Sequence, residues 1–125
     1  MQNYDKIVLI DDDEITNYIN EDLLQDLDLG AKIVVYEAAE EAIDDIRNDT
    51  EHLSTLILLD LKMPVFDGFD FLEDYNKIPA SNRKNLRLVI LTTSENPHDL
   101  QKLKDLGHKD VIIKPLSKDT LKQFF

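Results

Sequence analysis

The sequence contains no cysteine. Disulfides and thiolate metal sites are therefore excluded, and a reducing compartment is permitted. It also lacks any apolar run approaching the roughly 20 residues that cross a bilayer. Its first residues, Met1-Gln2-Asn3-Tyr4-Asp5-Lys6, lack a basic stretch leading into an apolar signal core. The expectation is a soluble, cytoplasmic protein that makes no membrane contact. Basic residues are scarce: 14 Lys and Arg stand against 26 Asp and Glu, for a formal net charge of −12. A surface this negative repels phosphate backbones, which argues against nucleic acid as a partner.

What the chain does have is 125 residues, 42% of them apolar. That suffices for one domain with a real core, and a single domain over residues 1–125 is expected. Four short apolar runs stand out: Ile7-Val8-Leu9-Ile10, Leu56-Ile57-Leu58-Leu59, Leu88-Val89-Ile90-Leu91 and Val111-Ile112-Ile113. None alternates polar with apolar, as a strand with one wet face would, so these read as strands covered on both sides. A fifth run, Ile33-Val34-Val35-Tyr36, is flanked by Lys32 and Glu37.

Helical spacing fills the gaps. Ile15, Tyr18, Ile19, Leu23 and Leu27 fall at steps of three and four, with Asp13 as an N-cap and Gly30 as the C′ residue. Ala39, Ala42, Ile43 and Ile46 mark a second helix, and Phe69, Leu72 and Tyr75 a third. Leu100, Leu103 and Leu106 mark a fourth that stops at Gly107, and a fifth begins near Ser117 or Lys118. Strand and helix thus alternate five times, which predicts an α/β domain with a parallel sheet and helices on both faces. The stretch from Ile78 to Asn85 reads as a polar surface loop, and His52, His98 and His108 as surface residues without ligand spacing.

Four of the apolar runs end on a charged or reactive residue: Asp11 and Asp12, Asp60, Thr92, and Lys114. In a parallel sheet the C-terminal strand ends share one edge, where open α/β sheets bind ligands. Three carboxylates brought together there repel, each pair by roughly 4 kcal/mol at about 4 Å and an effective dielectric near 20. A hard divalent cation offsets this, and Mg²⁺ suits a site of few carboxylates and several waters. Lys114 adds a point charge and Thr92 a hydroxyl. A cation, a lysine and a hydroxyl around one carboxylate are what phosphoryl transfer needs, with the carboxylate as nucleophile. Taken singly, each residue has a plainer reading. Asp11-Asp12-Asp13 could be an acidic helix cap, Asp60 and Thr92 strand ends, and Lys114 an ordinary lysine before proline.

Together, Val8 to Asp13, Leu58 to Gly68, Leu91-Thr92-Thr93-Ser94 and Ile112-Ile113-Lys114-Pro115 resemble the receiver domain of two-component response regulators, the family that includes the chemotaxis regulator. The resemblance covers essentially the whole chain. It implies a flavodoxin-like fold, five parallel strands in the order 2-1-3-4-5. It implies Asp60 as phosphoacceptor, Asp12 as a direct Mg²⁺ ligand, Asp11 as a ligand mainly through water, and the Lys62 carbonyl as a further ligand. Thr92 and Lys114 would contact phosphoryl oxygens, and the Lys114–Pro115 peptide would be cis. The loop after the acceptor would be shaped by Met63-Pro64 and Asp67-Gly68. The donor would be a phosphohistidine on a sensor kinase or phosphotransfer protein. Such a protein is not a conventional enzyme; it promotes its own phosphorylation and dephosphorylation, and Lys62 and Ser94 lie near the path of the attacking water. One departure is Val111, where receivers often carry an aromatic residue coupled to the threonine. The signal is then expected to run through the loop from Thr92 to Pro97. Two other readings stay open: a Mg²⁺-dependent phosphohydrolase with an aspartyl nucleophile, and a degenerate receiver that only binds partners. The first would want a second carboxylate where Lys62 stands.

Overall fold

A computed structural model of the chain describes residues 3–93 and 96–125. The strands are β1 (Lys6–Ile10), β2 (Lys32–Tyr36), β3 (Thr55–Asp60), β4 (Leu86–Thr92) and β5 (Val111–Ile113). The helices are α1 (Glu14–Asp26), α2 (Ala39–Arg47), α3 (Gly68–Lys77), α4 (Pro97–Asp105) and α5 (Lys118–Leu121), with short 3-10 turns at Ala80–Asn82 and Lys122–Phe124. All pairings are parallel, in the order β2-β1-β3-β4-β5. This is the expected flavodoxin-like α/β fold.

The non-alternating strands are explained by cover on both faces. Val8, Ile10, Ile57, Leu59, Leu88 and Ile90 pack with side chains of α2, α3 and α4. Their neighbours Ile7, Leu9, Leu56, Leu58, Val89, Leu91 and Ile112 pack on the other face with Leu24, Leu121 and Phe124. The central strand β3 is buried at every residue. Each of its four aliphatic side chains contributes on the order of 2 kcal/mol by leaving water. No helix among the described residues is long and apolar enough to cross a membrane.

Asp13 caps α1 by accepting from the Ile15 N–H at 3.1 Å, as the sequence suggested. The rest of that helix departs from expectation. Ile15, Tyr18 and Ile19 are 70%, 73% and 59% exposed, while the inward positions are Asn17, Asn20 and Leu24. The helix also ends at Asp26, short of Gly30; the left-handed residues Asp28 and Gly30 both fall in the turn to β2. Gly107 does end α4. It stands at φ 85°, donates to the Lys104 carbonyl, and is followed by a His108 N–H bond to the Leu103 carbonyl, a closed C-terminal turn. The polar stretch before β4 is tied down rather than loose, with Arg83 Nε on the Ile78 carbonyl and Asn85 Nδ2 on the Leu53 carbonyl, both 2.8 Å.

Candidate functional site

The register of the sheet fixes which strand ends meet. Ile10 lies opposite Leu59, Asp60 opposite Leu91, and Thr92 opposite Ile113. Asp11 follows β1, Asp60 closes β3, Thr92 closes β4 and Lys114 follows β5, so backbone pairing alone brings all four to one edge. Asp11, Thr92 and Asp60 are buried, and Asp12 is exposed beside them.

Lys114 is the hinge of the cluster. Its Nζ lies 2.8 Å from Asp60 Oδ1 and 3.1 Å from Asp11 Oδ2. The other Asp11 oxygen accepts the Asp13 N–H at 2.9 Å, which fixes the carboxylate in place. One oxygen from each of Asp11, Asp12 and Asp60 falls within 4.8 Å of the others. At that distance each pair repels by about 3 kcal/mol at an effective dielectric near 20. A single ammonium cannot neutralise three carboxylates. Burial lifts the Asp60 pKa, the Lys114 hydrogen bond lowers it, and the Asp11 and Asp12 charges lift it again; the balance is upward. For Lys114, burial works against the charge, but the Asp60 hydrogen bond and the Asp11 and Asp60 charges outweigh it and hold the pKa up. Burial, more than any neighbouring charge, is what lifts Asp60.

The donor set is therefore three carboxylate oxygens with no nitrogen or sulfur, one of them on an exposed side chain that leaves room for water. This fits a hard cation.

The loop after Asp60 is held by its neighbours. Asp67 and Asp70 form a reciprocal capping box at the start of α3, both bonds 3.0 Å. Gly68 sits so close to the end of β3 that a Cβ there would lie 2.8 Å from Leu61 Cα and 2.9 Å from the Asp60 carbonyl oxygen. Between them, Val65 is fully exposed at φ 66°. The Lys114–Pro115 bond is cis. The Lys62 side chain turns away from the carboxylates and pairs with Asp99 of α4 at 3.0 Å. Ser94 and Glu95, in the loop expected to carry the signal, lie outside the described residues.

Sequence reasoning missed one participant. Asn17 reaches from α1 to donate from Nδ2 to the Asp11 carbonyl at 2.7 Å. The available signal was an asparagine three residues before the inward Asn20, off the apolar stripe that drew attention. His108, expected at the surface, is half-buried, with its ring edge-on to Tyr75.

Comparison with known proteins agrees with this geometry. The model of the response regulator receiver domain matches residues 7–125. A probable chemotaxis protein CheY of Rhizobium etli is 31% identical over 117 residues, covering 92% of this chain and 85% of that protein. A response regulator receiver protein of Dyadobacter fermentans superposes with a TM-score of 0.85 at 27% identity, covering 95% of this chain and 93% of that one. The receiver domain of a Pseudomonas aeruginosa sensor histidine kinase, solved with a magnesium ion coordinated in its active site cleft, has the same fold. Its TM-score is 0.76 at 20% identity, with coverage of 98% and 94%. The chain spans only 6% of the length of two further relatives, the histidine kinase mak1 of Schizosaccharomyces pombe and hybrid histidine kinase B of Dictyostelium discoideum. A match that runs from Ile7 to Phe125 takes in β1 through α5 and the edge on which the carboxylates meet: the chain belongs to the response regulator receiver domain family.

Proposed function

We propose that the protein takes a phosphoryl group from a phosphohistidine of a sensor kinase or phosphotransfer protein onto Asp60, and that this changes what it binds. The observation that carries the reading is the Lys114 ammonium poised between Asp60 and Asp11 on the converged strand ends. A carboxylate oxygen of Asp60 bonds to phosphorus as the nitrogen–phosphorus bond breaks; the electron pair returns to the imidazole, which gains a proton. Lys114 neutralises a phosphoryl oxygen while keeping its hold on Asp11, and the Thr92 hydroxyl donates to another. Asp12 directly, Asp11 through water, Asp60 and the Lys62 carbonyl would hold Mg²⁺, a role supported by the all-oxygen donor set and by the magnesium in the P. aeruginosa relative. When bound, the ion supplies positive charge against the developing charge of the transferring group. The protein promotes its own phosphorylation and dephosphorylation rather than acting as a conventional enzyme.

The exposed Ile15, Tyr18 and Ile19 on α1 support a protein donor, since they offer an apolar strip next to the acceptor edge. The phosphohydrolase reading loses ground because the position two residues past Asp60 carries Lys62, whose side chain is engaged with Asp99. Incubation with acetyl phosphate and Mg²⁺ should add one phosphoryl group by intact mass, with none added without Mg²⁺ or in Asp60→Asn. A phosphoryl group found on Asp60→Asn at another aspartate defeats the assignment.

A further inference from the structure

The inward face of α1 carries two asparagines, Asn17 and Asn20, beside Leu24, where α2 and α3 bury mainly apolar side chains. Asn17 is 4% exposed. Its Nδ2 is used on the Asp11 carbonyl at 2.7 Å, and its Oδ1 is buried with no hydrogen-bond partner among the described residues. A buried acceptor left unpaired costs stability, and a leucine at this position would avoid that cost. The arrangement calls for a reason beyond packing.

The bonds of Asp11 supply one. Its N–H donates to the Tyr36 carbonyl, extending the β1–β2 pairing by one residue. Its carboxylate is fixed by the Asp13 N–H and by Lys114. The remaining group, the carbonyl, belongs to the peptide that joins Asp11 to Asp12, and Asn17 holds it. The orientation of that peptide sets the direction in which the next residue leaves the strand, and hence where the Asp12 carboxylate points. Asp12 is exposed, so no surrounding core confines it.

We infer that Asn17 is a positioning residue for the cation site: its amide locks the Asp11–Asp12 peptide so that both carboxylates converge with Asp60. The inference rests on reading the three carboxylates as a Mg²⁺ site. It separates a structural role from a functional one, because the two predict different readouts. Asn17→Leu keeps the branching though not the smaller bulk of the amide, and removes the orphan acceptor while freeing the Asp11 carbonyl, so one unpaired group replaces another and, where the larger side chain fits, the metal-free melting temperature should stay within a few degrees. Mg²⁺ affinity, measured by calorimetric titration of the unphosphorylated protein with MgCl₂, should fall about tenfold. Asn17→Ala should weaken Mg²⁺ binding likewise and serves if leucine does not fit. Asn20→Leu, the same change one step along the same face, should leave Mg²⁺ affinity as it was. Retention of wild-type Mg²⁺ affinity in both Asn17 variants overturns the inference, as does an equal loss in Asn20→Leu. If the unaltered protein binds no Mg²⁺, the cation-site reading itself fails and the inference falls with it.

Discussion

Val65 stands in the left-handed region, where a side chain branched at Cβ crowds its own backbone. The conformation costs about 1–2 kcal/mol per residue for ordinary side chains, and Val65, fully exposed, gains nothing from burial in return. Val65→Asn should therefore stabilise the protein by about 1 kcal/mol, since asparagine tolerates this region; an unchanged or lower urea midpoint would refute the strain. His108 shows the opposite economy. Asn76 spends its Nδ2 on the Leu106 carbonyl, so its Oδ1 accepts from His108 Nε2 at 2.9 Å. Burial lowers the His108 pKa, the Arg83 charge lowers it further, and Asp110 pulls it back only in part. The neutral ring is the one the fold prefers. Its contribution is present above the unfolded value of 6.5 and is lost as pH falls through the lowered folded pKa. Melting temperatures of the wild type should drop over that window, and His108→Gln should flatten the drop. Neither residue was legible beforehand: sequence gives the type, but the φ of Val65 and the enclosure of His108 come from the path of the chain.

At the level of elements, the strands were legible almost to the residue because a run buried on both faces has no competing interpretation. The stripe of α1 was misleading for the same reason that it is useful. Apolar residues at helical spacing mark a helix, but they mark its buried face only when nothing else needs them, and here Ile15, Tyr18 and Ile19 face solvent while Asn17 faces the site. The leucines of α4 do mark a helix; of them Leu103 is buried and Leu106 packs partly buried against the same core. Polar contacts add to this packing: Lys62 to Asp99 at its first turn, Lys102 over the Phe69 ring at 4.3 Å, and Asn76 to the Leu106 carbonyl at its end. The Lys62–Asp99 pair is largely exposed on the lysine side, and such pairs contribute under about 1 kcal/mol. Lys62→Ala should thus barely change global stability, yet it should speed amide hydrogen exchange over residues 98–101. Exchange there at the wild-type rate would mean the pair does not restrain the helix.

For the molecule as a whole, the edge that carries Asp60 holds a carboxylate that burial first, and the Asp11 and Asp12 charges next, disfavour in its ionised form. The folded state raises the Asp60 pKa above 3.8, so ionising Asp60 costs stability as pH climbs through the folded value, and the full cost stands at neutral pH. Asp60→Asn should melt higher than the wild type without metal at pH 7, and the gap should close as pH falls toward 3.8. Added Mg²⁺ should raise the wild type by mass action, about 2.7 kcal/mol at a hundredfold excess over Kd, and the variant by less. A variant that melts lower than the wild type at neutral pH would show that the Lys114 pair outweighs that cost. The topology and the gathering of Asp11, Asp12, Asp60 and Lys114 could be read in advance, since parallel strand ends must share an edge; the hold of Asn17 on Asp11 could not, because it joins residues through a side chain whose direction no spacing reveals.

The same parallel order has an electrical consequence. α2, α3 and α4 each begin on acidic residues and end on basic ones, Glu40 and Glu41 to Arg47, Asp70 to Lys77, Asp99 to Lys102 and Lys104. As return legs between parallel strands they all run the same way, so their acidic ends crowd the edge that carries Asp60. Their basic ends collect at the far edge, where Lys6 and Lys32 face each other in register. Each of these three helices complements its own dipole, whereas α1 has no basic residue in its last turn. A cationic surface coming within a Debye length of that acidic edge is drawn toward it before the two proteins touch.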